Sequence, residues 1–483
     1  MPSITTVHSI SKVVLHRATG GLLDQPQVLG PLDHLVAPFI PVAVVFAYTT
    51  DHANGEVLSI GKLQKAIEVL LDSYPLLTGR LHIDPTTGRR EISNFTAGAE
   101  LHLAESKATL SSFATAEGSL LITNLPDGGN ALLAPFDMSM DAISINAMLT
   151  VQHTRFSCGG VTLGIRMPHA LCDSDGYFQV VRDLAEVYRT GSLARQPHLQ
   201  PFQVELLTSP SEQQRAEDRA FKPSLYYVDE PKDEESAAVQ PAPSQVTPPP
   251  ALTTGRVVRY TAQKLDELKD LASAPGKWVS TFDALSAYLC RRITLAKLAS
   301  GIVPPDLMSR DFLTSVNYRG TDRLNTPSRY LYNCILTPTT TLPSVHETTL
   351  AETSQLIHDL VRRVSADEAQ RSVRWIAAQP DTRAIRWRFD PRPGSFMVSA
   401  WNKFDVYAGT AFELDEEGKG IAPLLVAPPF TPISLVDGLV YYLPTEKQAT
   451  DTASRDLDVY IALSEPVWTV LDKDHSLERW IVD

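Results

Sequence analysis

The segment that most constrains the fold lies at residues 229–254, with the sequence DEPKDEESAAVQPAPSQVTPPPALTT. It is acidic and then rich in proline, and it contains no large hydrophobic cluster. Such a composition is typical of a linker or an exposed crossover. The sequence therefore predicts an N-terminal domain over 1–210, a crossover over 211–254 and a C-terminal domain over 255–483.

Strands and helices alternate irregularly on both sides of this segment. The run VAVVFAY (42–48) predicts a buried strand, and the apolar spacing of 61–75 predicts a helix that Pro75 ends. In the second part, 280–300 predicts a helix capped by Ser280 or Thr281, and LDVYIALS (457–464) predicts a strand. No regular βαβ fingerprint or internal repeat is present, so we expect a mixed α/β (α+β) fold in two domains.

The composition excludes several classes of protein. The 483 residues carry a net charge of −13, which does not favour nucleic-acid binding. The longest apolar run, at 36–48, is too short to span a bilayer and contains two prolines. The four cysteines form no CxxC pair, so neither a metal site nor a disulfide framework is indicated. We expect a soluble, cytoplasmic protein with reduced thiols and no metal.

The candidate chemistry centres on His169 and Asp173 in the sequence HALCD. His169 ends the predicted strand 160–169, and a turn and a predicted helix over 174–191 follow. Imidazole suits general-base catalysis, because its ordinary pKa is about 6.5. The pattern alone has other readings: a chance pairing, a helix cap at Asp173, a metal pair, or Cys172 as a nucleophile.

Several further segments occur together with this motif and give it weight. They are SYPLLTGRL (73–81), STFDALSAYLCRR (280–292), VNYR (316–319), YLYN (330–333), VSAW (398–401) and DLDVYIALSEPVWTVL (456–471). The order and the residues of these segments resemble the BAHD family of acyl-CoA-dependent acyltransferases, whose hallmark is HxxxD. The resemblance runs from about residue 70 to the C-terminus.

The resemblance implies two chloramphenicol-acetyltransferase-like domains with a channel between them. It also implies that a segment near 405–430 can pack with the N-terminal domain. The family's DFGWG hallmark is degraded here: KFDVYAGTAFELDEEGKG (403–420) aligns either as Asp405–Gly409 or with Phe412 as the hallmark phenylalanine. This divergence resembles fungal members that act in secondary metabolism.

The resemblance also implies a role for each matching residue. His169 would be the general base, and Asp173 would pair with Arg319 as a structural lock. Lys277, Ser280 and Thr281, at the start of the predicted helix 280–300, are candidate contacts for the coenzyme phosphates, with plain helix capping and a solvated lysine as the alternative. The candidate residues of the substrate pocket are Met167, Tyr177, Asn333 and Trp401. The alternatives are core packing for Met167 and Tyr177 and a structural place beside the cleft for Asn333 and Trp401. No metal is implied.

The expected reaction is transfer of an acyl group, acetyl by analogy with the family, from acyl-CoA to a hydroxyl of a specialised metabolite. The acceptor would be a terpenoid, a polyketide or an alkaloid, and the enzyme is expected to be a monomer without nucleic-acid or membrane partners. Two alternatives stay open. One is a condensation-type enzyme that uses carrier-protein thioesters, and the other is a non-catalytic binding protein on the same fold.

Overall fold

The computed structural model describes residues 7–20, 23, 25–50, 56–208, 211–228 and 252–481. Residues 229–251, which form most of the predicted crossover, lie outside the described residues. The division of the chain at 210 and 254 therefore stays a prediction. Among the described residues, no helix is both long enough and apolar enough to cross a membrane.

A six-stranded sheet, called here the N-terminal sheet, forms the centre of the first half. Its strands lie in the order His8–Leu15, Ala99–Ser106, Thr150–Phe156, Val161–Pro168, Pro41–Tyr48 and Leu425–Ala427. The pair Ala99–Ser106 and Thr150–Phe156 is parallel, and the other neighbours are antiparallel. The last strand comes from the second half of the chain, with Val426 opposite Phe46.

A second six-stranded sheet, the C-terminal sheet, organises the other half. Its order is Thr253–Tyr260, Leu457–Ser464, Leu439–Pro444, Phe396–Ala400, Asp311–Thr314 and Thr339–Thr341. The strand Phe396–Ala400 runs parallel to both of its neighbours. Every residue of Leu457–Ser464 is buried, which explains its nearly continuous apolar sequence.

Smaller sheets and helices complete the two halves. The small sheets pair Gln27–Val28, Arg90–Ser93 and Arg80–Ile83; Val316–Asn317 and Ile335–Leu336; Ile385–Trp387 and Tyr226–Val228; and Glu413–Leu414 and Gly420–Ile421. The α-helices are α1 Ile60–Ser73, α2 Ser174–Thr190, α3 Glu205–Thr208, α4 Glu212–Ala220, α5 Ala262–Leu271, α6 Thr281–Ser300, α7 Leu350–Leu360, α8 Ala366–Ala378 and α9 Glu465–Asp474. Short 3-10 helices include Pro31–His34, Met140–Ala142 and Ala408–Thr410.

The predicted helix ends agree with local side-chain chemistry. Ser280 caps α6, because its hydroxyl accepts from the N–H of Asp283 while the Asp283 carboxylate accepts from the N–H of Ser280. Gly191 ends α2 with φ of 81°, a left-handed conformation that favours glycine. These ends were visible in the sequence because capping depends on residues close together in the chain.

The segment SINAMLTVQHTRFS (144–157) reads in sequence as one strand, but the observed strand is shorter, Thr150–Phe156. The preceding segment turns instead: the N–H of Asn146 bonds to the carbonyl of Ala142, and the Asn146 amide bonds to the carbonyl of Asp137. These local bonds compete with a sheet ladder, so the apolar run does not extend the strand.

Gly176, in the first turn of α2, brings the two halves of the chain into close contact. A Cβ atom at this position would lie 1.9 Å from the carbonyl oxygen of Leu331, which belongs to the second half. Real side chains do not approach a carbonyl so closely. The helix can therefore dock here only because residue 176 has no side chain.

We predict that Gly176→Ala lowers the free energy of unfolding by about 1–3 kcal/mol, the usual range for overpacking a buried contact. The measurement is urea unfolding monitored by circular dichroism. The matched control is Gly61→Ala in α1, where an added Cβ meets no atom within 4 Å. This control should leave stability unchanged or raise it, because alanine favours helix more than glycine does. Equal effects of the two changes would contradict the contact.

Candidate active site

A cavity of about 230 Å³ lies between the two halves of the chain. From the first half it is lined by residues 40–43, His169 and residues 173–175. From the second half it is lined by Ser315, Asn317, Ile335, Ser399, Ala400, Trp401, Phe404, Pro428, Pro429, Thr431, Ile433, Ser434 and Tyr441. The only histidine in this lining is His169, so the structure places the predicted base where both halves meet a potential ligand.

The backbone of His169 is fixed on both sides of the residue. The residue follows the strand Val161–Pro168, and its N–H donates to the carbonyl of Ile40 at 2.8 Å. Its own carbonyl accepts from the side-chain Nδ2 of Asn333 at 3.0 Å. The imidazole is therefore carried by a backbone held from both halves of the chain.

The His169 ring is half-buried, and its two nitrogens differ in accessibility. Nδ1 is shielded from solvent and has no hydrogen-bond partner of good geometry, so Nε2 is the nitrogen that a molecule in the cavity can reach. Burial lowers the pKa of His169 below its ordinary value of 6.5. Its own carbonyl, the charge of Asp173 and the Asn333 side chain act in the opposite direction. The neutral ring is consequently the resting form at neutral pH.

The Asp173 carboxylate turns away from His169 and is saturated by other donors. Oδ2 lies 2.7 Å from Arg319 Nη1, and Oδ1 lies 2.9 Å from Arg319 Nη2, which gives a two-pronged ion pair. Oδ2 also accepts from the N–H of Cys334 at 2.8 Å, and Oδ1 accepts from the N–H of Gly176 at 3.2 Å. Asp173 therefore caps α2 and holds the second half of the chain at the same time.

Arg319 completes this lock from the second half. Its Nη2 also donates to the carbonyl of Tyr332 at 2.6 Å. Burial acts to lower the pKa of Arg319, but the charge and hydrogen bonds of Asp173, together with the charge of Asp175, hold the pKa above its ordinary value. The guanidinium thus stays charged and links the His169 turn to residues 330–334.

Asn333 and Asp33 form a second buried contact beside His169. The side-chain Nδ2 and the backbone N of Asn333 donate to Asp33 Oδ1 at 2.8 and 2.9 Å. The N–H of Gly30 donates to Asp33 Oδ2 at 2.9 Å. Burial nevertheless raises the pKa of Asp33 to about 7, so this carboxyl changes protonation near neutral pH.

The candidate pocket residues are divided between the cavity and the core. Trp401 lines the cavity, and its indole N–H donates to Ser399 Oγ at 2.9 Å. Met167 and Tyr177 are fully buried and do not line it, which agrees with the core-packing alternative, and their contact with an acceptor stays a prediction. Met167 shares with Ile165 the core face of its strand, and the Tyr177 hydroxyl bonds to the Ile165 carbonyl. Asn333 lies behind the lining rather than in it.

The three candidate coenzyme contacts lie at the start of α6, outside the lining of this cavity. Lys277 is exposed and borders a separate, shallow depression with Trp278 and His358. The Ser280 hydroxyl is engaged in the cap of α6, and Thr281 is the first residue of that helix. The structure therefore brings these three residues together with one another, and it does not bring them to His169.

The degraded hallmark segment packs against the first half of the chain. The N–H of Gly409 donates to Asp405 Oδ1 at 2.9 Å, which closes a turn over the predicted Asp405–Gly409 pattern. Phe412 is buried against the rings of Tyr48 and Tyr188. The two candidate alignments of the hallmark, Asp405–Gly409 and Phe412, thus both fall on residues that pack or form turns here. Neither of them lines the cavity.

Other kinds of chemistry find little support in the described residues. Burial raises the pKa of the Cys172 thiol well above its ordinary value, and Cys172 does not line the cavity. The four cysteines are free thiols. No cluster of three or more His, Cys, Asp or Glu side chains suited to a metal ion occurs in the part of the chain that the structure describes.

Sequence reasoning missed Asp33, which bonds to Asn333 behind the cavity, and the aromatic residues Phe404 and Tyr441, which line it. Asp33 interrupts the apolar sequence PLDHLV, and a lone acid in such a run is a signal for a buried, hydrogen-bonded carboxyl. Phe404 and Tyr441 carry no comparable signal, because an aromatic residue in a strand or turn is more often core.

Comparison with known proteins adds independent findings. Residues 24–465 match the family model described as the Transferase family. The chain is 26% identical over 344 residues to the O-acyltransferase pigD of Monascus ruber, an alignment that covers 66% of this chain and 68% of pigD. It is 27% identical over 332 residues to the trichothecene 3-O-acetyltransferase TRI101 of Fusarium sporotrichioides, covering 65% of this chain and 66% of TRI101.

Solved structures share the fold at low sequence identity. Vinorine synthase superposes with a TM-score of 0.67 at 14% identity, covering 96% of both chains. TRI101 of F. sporotrichioides, crystallised with coenzyme A and T-2, gives a TM-score of 0.64 at 19% identity and covers 94% of this chain and 98% of its own. The fold is thus the chloramphenicol-acetyltransferase-like, two-domain arrangement that the motifs implied. Together with the family match over most of its length, this places the chain in the Transferase family as an acyl-CoA-dependent acyltransferase of the BAHD type.

Proposed function

We propose that the protein transfers an acyl group, most simply acetyl, from acyl-CoA to a hydroxyl of a specialised metabolite, with His169 as the general base. The observation that carries the proposal is the position of His169 in a cavity between the two halves, with Nδ1 buried so that Nε2 is left to face a ligand. Burial also lowers the pKa of the ring, which favours its neutral form. A neutral imidazole facing a ligand cavity has the form that a base requires.

The proposed reaction needs no covalent acyl-enzyme. His169 Nε2 takes the proton of the acceptor hydroxyl as the oxygen attacks the thioester carbonyl carbon. The tetrahedral intermediate collapses, the carbon–sulfur bond breaks, and the imidazolium returns the proton to the departing thiolate. The products are an ester and free coenzyme A. A positioned base contributes roughly 10²–10⁴-fold to such a step.

Asp173 acts, in this proposal, as a structural lock rather than as a charge partner of the ring. Its four contacts go to Arg319, Cys334 and Gly176, so neither oxygen is directed to the imidazole. The pair holds the turn that presents His169. This arrangement differs from a catalytic triad, in which the acid bonds to the imidazole itself.

The coenzyme is proposed to bind with its phosphates toward Lys277, Ser280 and Thr281. The support is chemical: an exposed ammonium group lies beside the N-terminus of a 20-residue helix, where free N–H groups and the helix dipole favour an anion. The acetyl group and a hydroxylated acceptor are supported by the name of the relative TRI101 and by the aromatic cavity wall of Trp401, Phe404 and Tyr441.

The decisive experiment measures release of free coenzyme A from acetyl-CoA with a thiol reagent, using a panel of hydroxylated metabolites. We expect release only when an acceptor is present, and we expect His169→Ala to abolish it while the protein stays folded. His82→Ala, at an exposed position on the strand Arg80–Ile83, is the matched control and should keep full activity. Acceptor-dependent turnover by His169→Ala would refute the assignment of the base.

The same experiment separates the two alternatives. A condensation-type enzyme would require a thioester on a carrier protein and would not use free acetyl-CoA. A binding protein would retain the acceptor without release of coenzyme A in any combination.

The pH dependence follows from the lowered pKa of His169. Protonation removes the base, so activity should fall as the pH drops through that pKa. Because burial sets the pKa below 6.5, we expect the acidic limb of the kcat/KM profile to lie below pH 6.5. The profile measured with saturating acetyl-CoA tests this, and a limb at or above pH 6.5 would contradict a buried, neutral base.

Asp173→Ala should damage folding and activity together. Removal of one member of a buried ion pair typically costs about 3–5 kcal/mol, because the other charge stays buried without its partner. Asp367→Ala is the control, since it breaks an exposed pair with Arg371 and should change little. Urea unfolding and the coenzyme A assay are the measurements. A stable and fully active Asp173→Ala protein would contradict the role of the Asp173–Arg319 pair as a structural lock.

A further inference from the structure

Asn333 has a side-chain orientation that its neighbours determine. Its Nδ2 lies within hydrogen-bond distance of two acceptors, Asp33 Oδ1 at 2.8 Å and the His169 carbonyl at 3.0 Å. A flipped amide would place an oxygen against both acceptors, so the nitrogen must occupy this position. The amide oxygen of Asn333 therefore points away from Asp33 Oδ1 and from the His169 carbonyl.

Two unpaired polar atoms remain on these neighbouring residues. Asn333 Oδ1 is buried and has no hydrogen-bond partner of good geometry, and the same is true of His169 Nδ1, for which the His169 carbonyl is the competing acceptor. One is an acceptor, and the other is a donor in the tautomer that leaves Nε2 free. Buried polar atoms are rarely left unpaired, because an unmade bond costs the full desolvation of the group. The two atoms are complementary, and the residues that carry them are already bonded to each other.

We propose that Asn333 is a positioning residue for His169: its amide oxygen takes the Nδ1–H of the imidazole during turnover, while its amide nitrogen holds the His169 carbonyl. The inference rests on the proposed role of His169 as base. The proton stays on Nδ1 throughout, and only the Nε2 proton is exchanged with the acceptor and the thiolate.

This contact would select the tautomer that the reaction needs. With the proton on Nδ1, the lone pair of Nε2 faces the cavity and can accept the hydroxyl proton. The interaction of the Asn333 side chain with the ring also raises the pKa of His169, against the larger effect of burial. The amide thus favours the imidazolium that forms when the hydroxyl is deprotonated.

Asp33 fixes the amide from behind. Its Oδ1 accepts from both the backbone and the side chain of Asn333, so the amide cannot rotate without loss of one bond. Asp33 is 1% exposed and lies in the 3-10 helix Pro31–His34 of the first half. Contacts therefore run from Asp33 in the first half to Asn333 in the second half, and from Asn333 back to His169 in the first half.

The test compares Asn333→Ala and Asp33→Asn with the parent enzyme in the coenzyme A assay. Asn333→Ala removes both contacts to His169, and kcat should fall by about 10- to 100-fold with little change in KM, as for a misplaced catalytic group. Asp33→Asn keeps an acceptor oxygen for Asn333 and should lower kcat less. Asp33→Asn also removes the titration of Asp33 from the pH profile. If Asn333→Ala does not fold, Asp33→Asn still tests whether the orientation of the Asn333 amide affects kcat.

Asp183→Asn is the matched control for a general loss of packing. Asp183 is also a buried carboxylate: it accepts from the hydroxyl of Tyr74 and pairs with Arg329 of the second half, and it does not contact His169. This change should lower the urea midpoint while kcat stays at the parent level. A purely structural role of Asn333 predicts the same behaviour for Asn333→Ala.

The pH profile supplies a readout that a purely structural role would not move. Without the amide, which raises the pKa of His169, the acidic limb of Asn333→Ala should shift to lower pH. The other charged or titratable groups around His169 are Asp33, Asp173, Asp175, Arg319, Cys172 and Cys334, and all of them are retained in this variant.

The possible outcomes separate a failure of the proposed function from a failure of the positioning role of Asn333. Turnover by His169→Ala, measured in parallel, overturns the proposed function itself. An inactive His169→Ala beside a folded Asn333→Ala with the kcat and pH profile of the parent overturns only the positioning role. A lower kcat, an unchanged KM and a shifted limb in Asn333→Ala support it.

Discussion

The ion pair between Asp173 and Arg319 is the interaction on which the candidate site depends. It joins a helix start in the first half of the chain to a loop in the second half, at a place with almost no solvent. Such a pair is costly to bury and still more costly to break, because either charge alone would lack both water and a partner. The pair thus connects the two halves whose residues form the walls of the cavity.

The turn from His169 to Gly176 meets several requirements within eight residues. Its first residue presents an imidazole, its fifth caps α2 and binds Arg319, and its last has no side chain and admits the Leu331 carbonyl. The reading of Asp173 as a helix cap and its reading as an ion-pair partner were alternatives in the sequence. Both are present, because each carboxylate oxygen accepts two hydrogen bonds, and Oδ1 binds both Gly176 N–H and Arg319.

Local sequence predicted the parts of this architecture that depend on local interactions. The strand before His169, the cap of α6 and the glycine end of α2 follow from alternation and capping within a few residues. The pairing of Asp173 with Arg319 came from the family resemblance alone, since 146 residues separate them. The contact of Asp33 with Asn333 spans 300 residues and matches no motif that we recognised, so only the fold could reveal it.

Met167 and Tyr177 show that closeness in sequence is not closeness to the cavity. Both residues flank the motif, but both are fully buried, and the Tyr177 hydroxyl bonds to the Ile165 carbonyl in the core. Proximity to His169 along the chain thus did not give access to the cavity. The roles of His169, Lys277 and the other site residues stay predictions that the proposed experiments address.

The strand Leu425–Ala427 has a consequence for how molecules reach the cavity. It is hydrogen-bonded into the sheet of the opposite half, so the halves cannot swing apart as a hinge without tearing a β-ladder. Substrates must enter and leave through existing openings, by movement of side chains and loops. For the same reason, a separately produced first half would lack the edge strand of its sheet, and a separately produced second half would carry that strand unpaired. Cooperative unfolding of the whole chain is the natural behaviour of such an interlocked molecule.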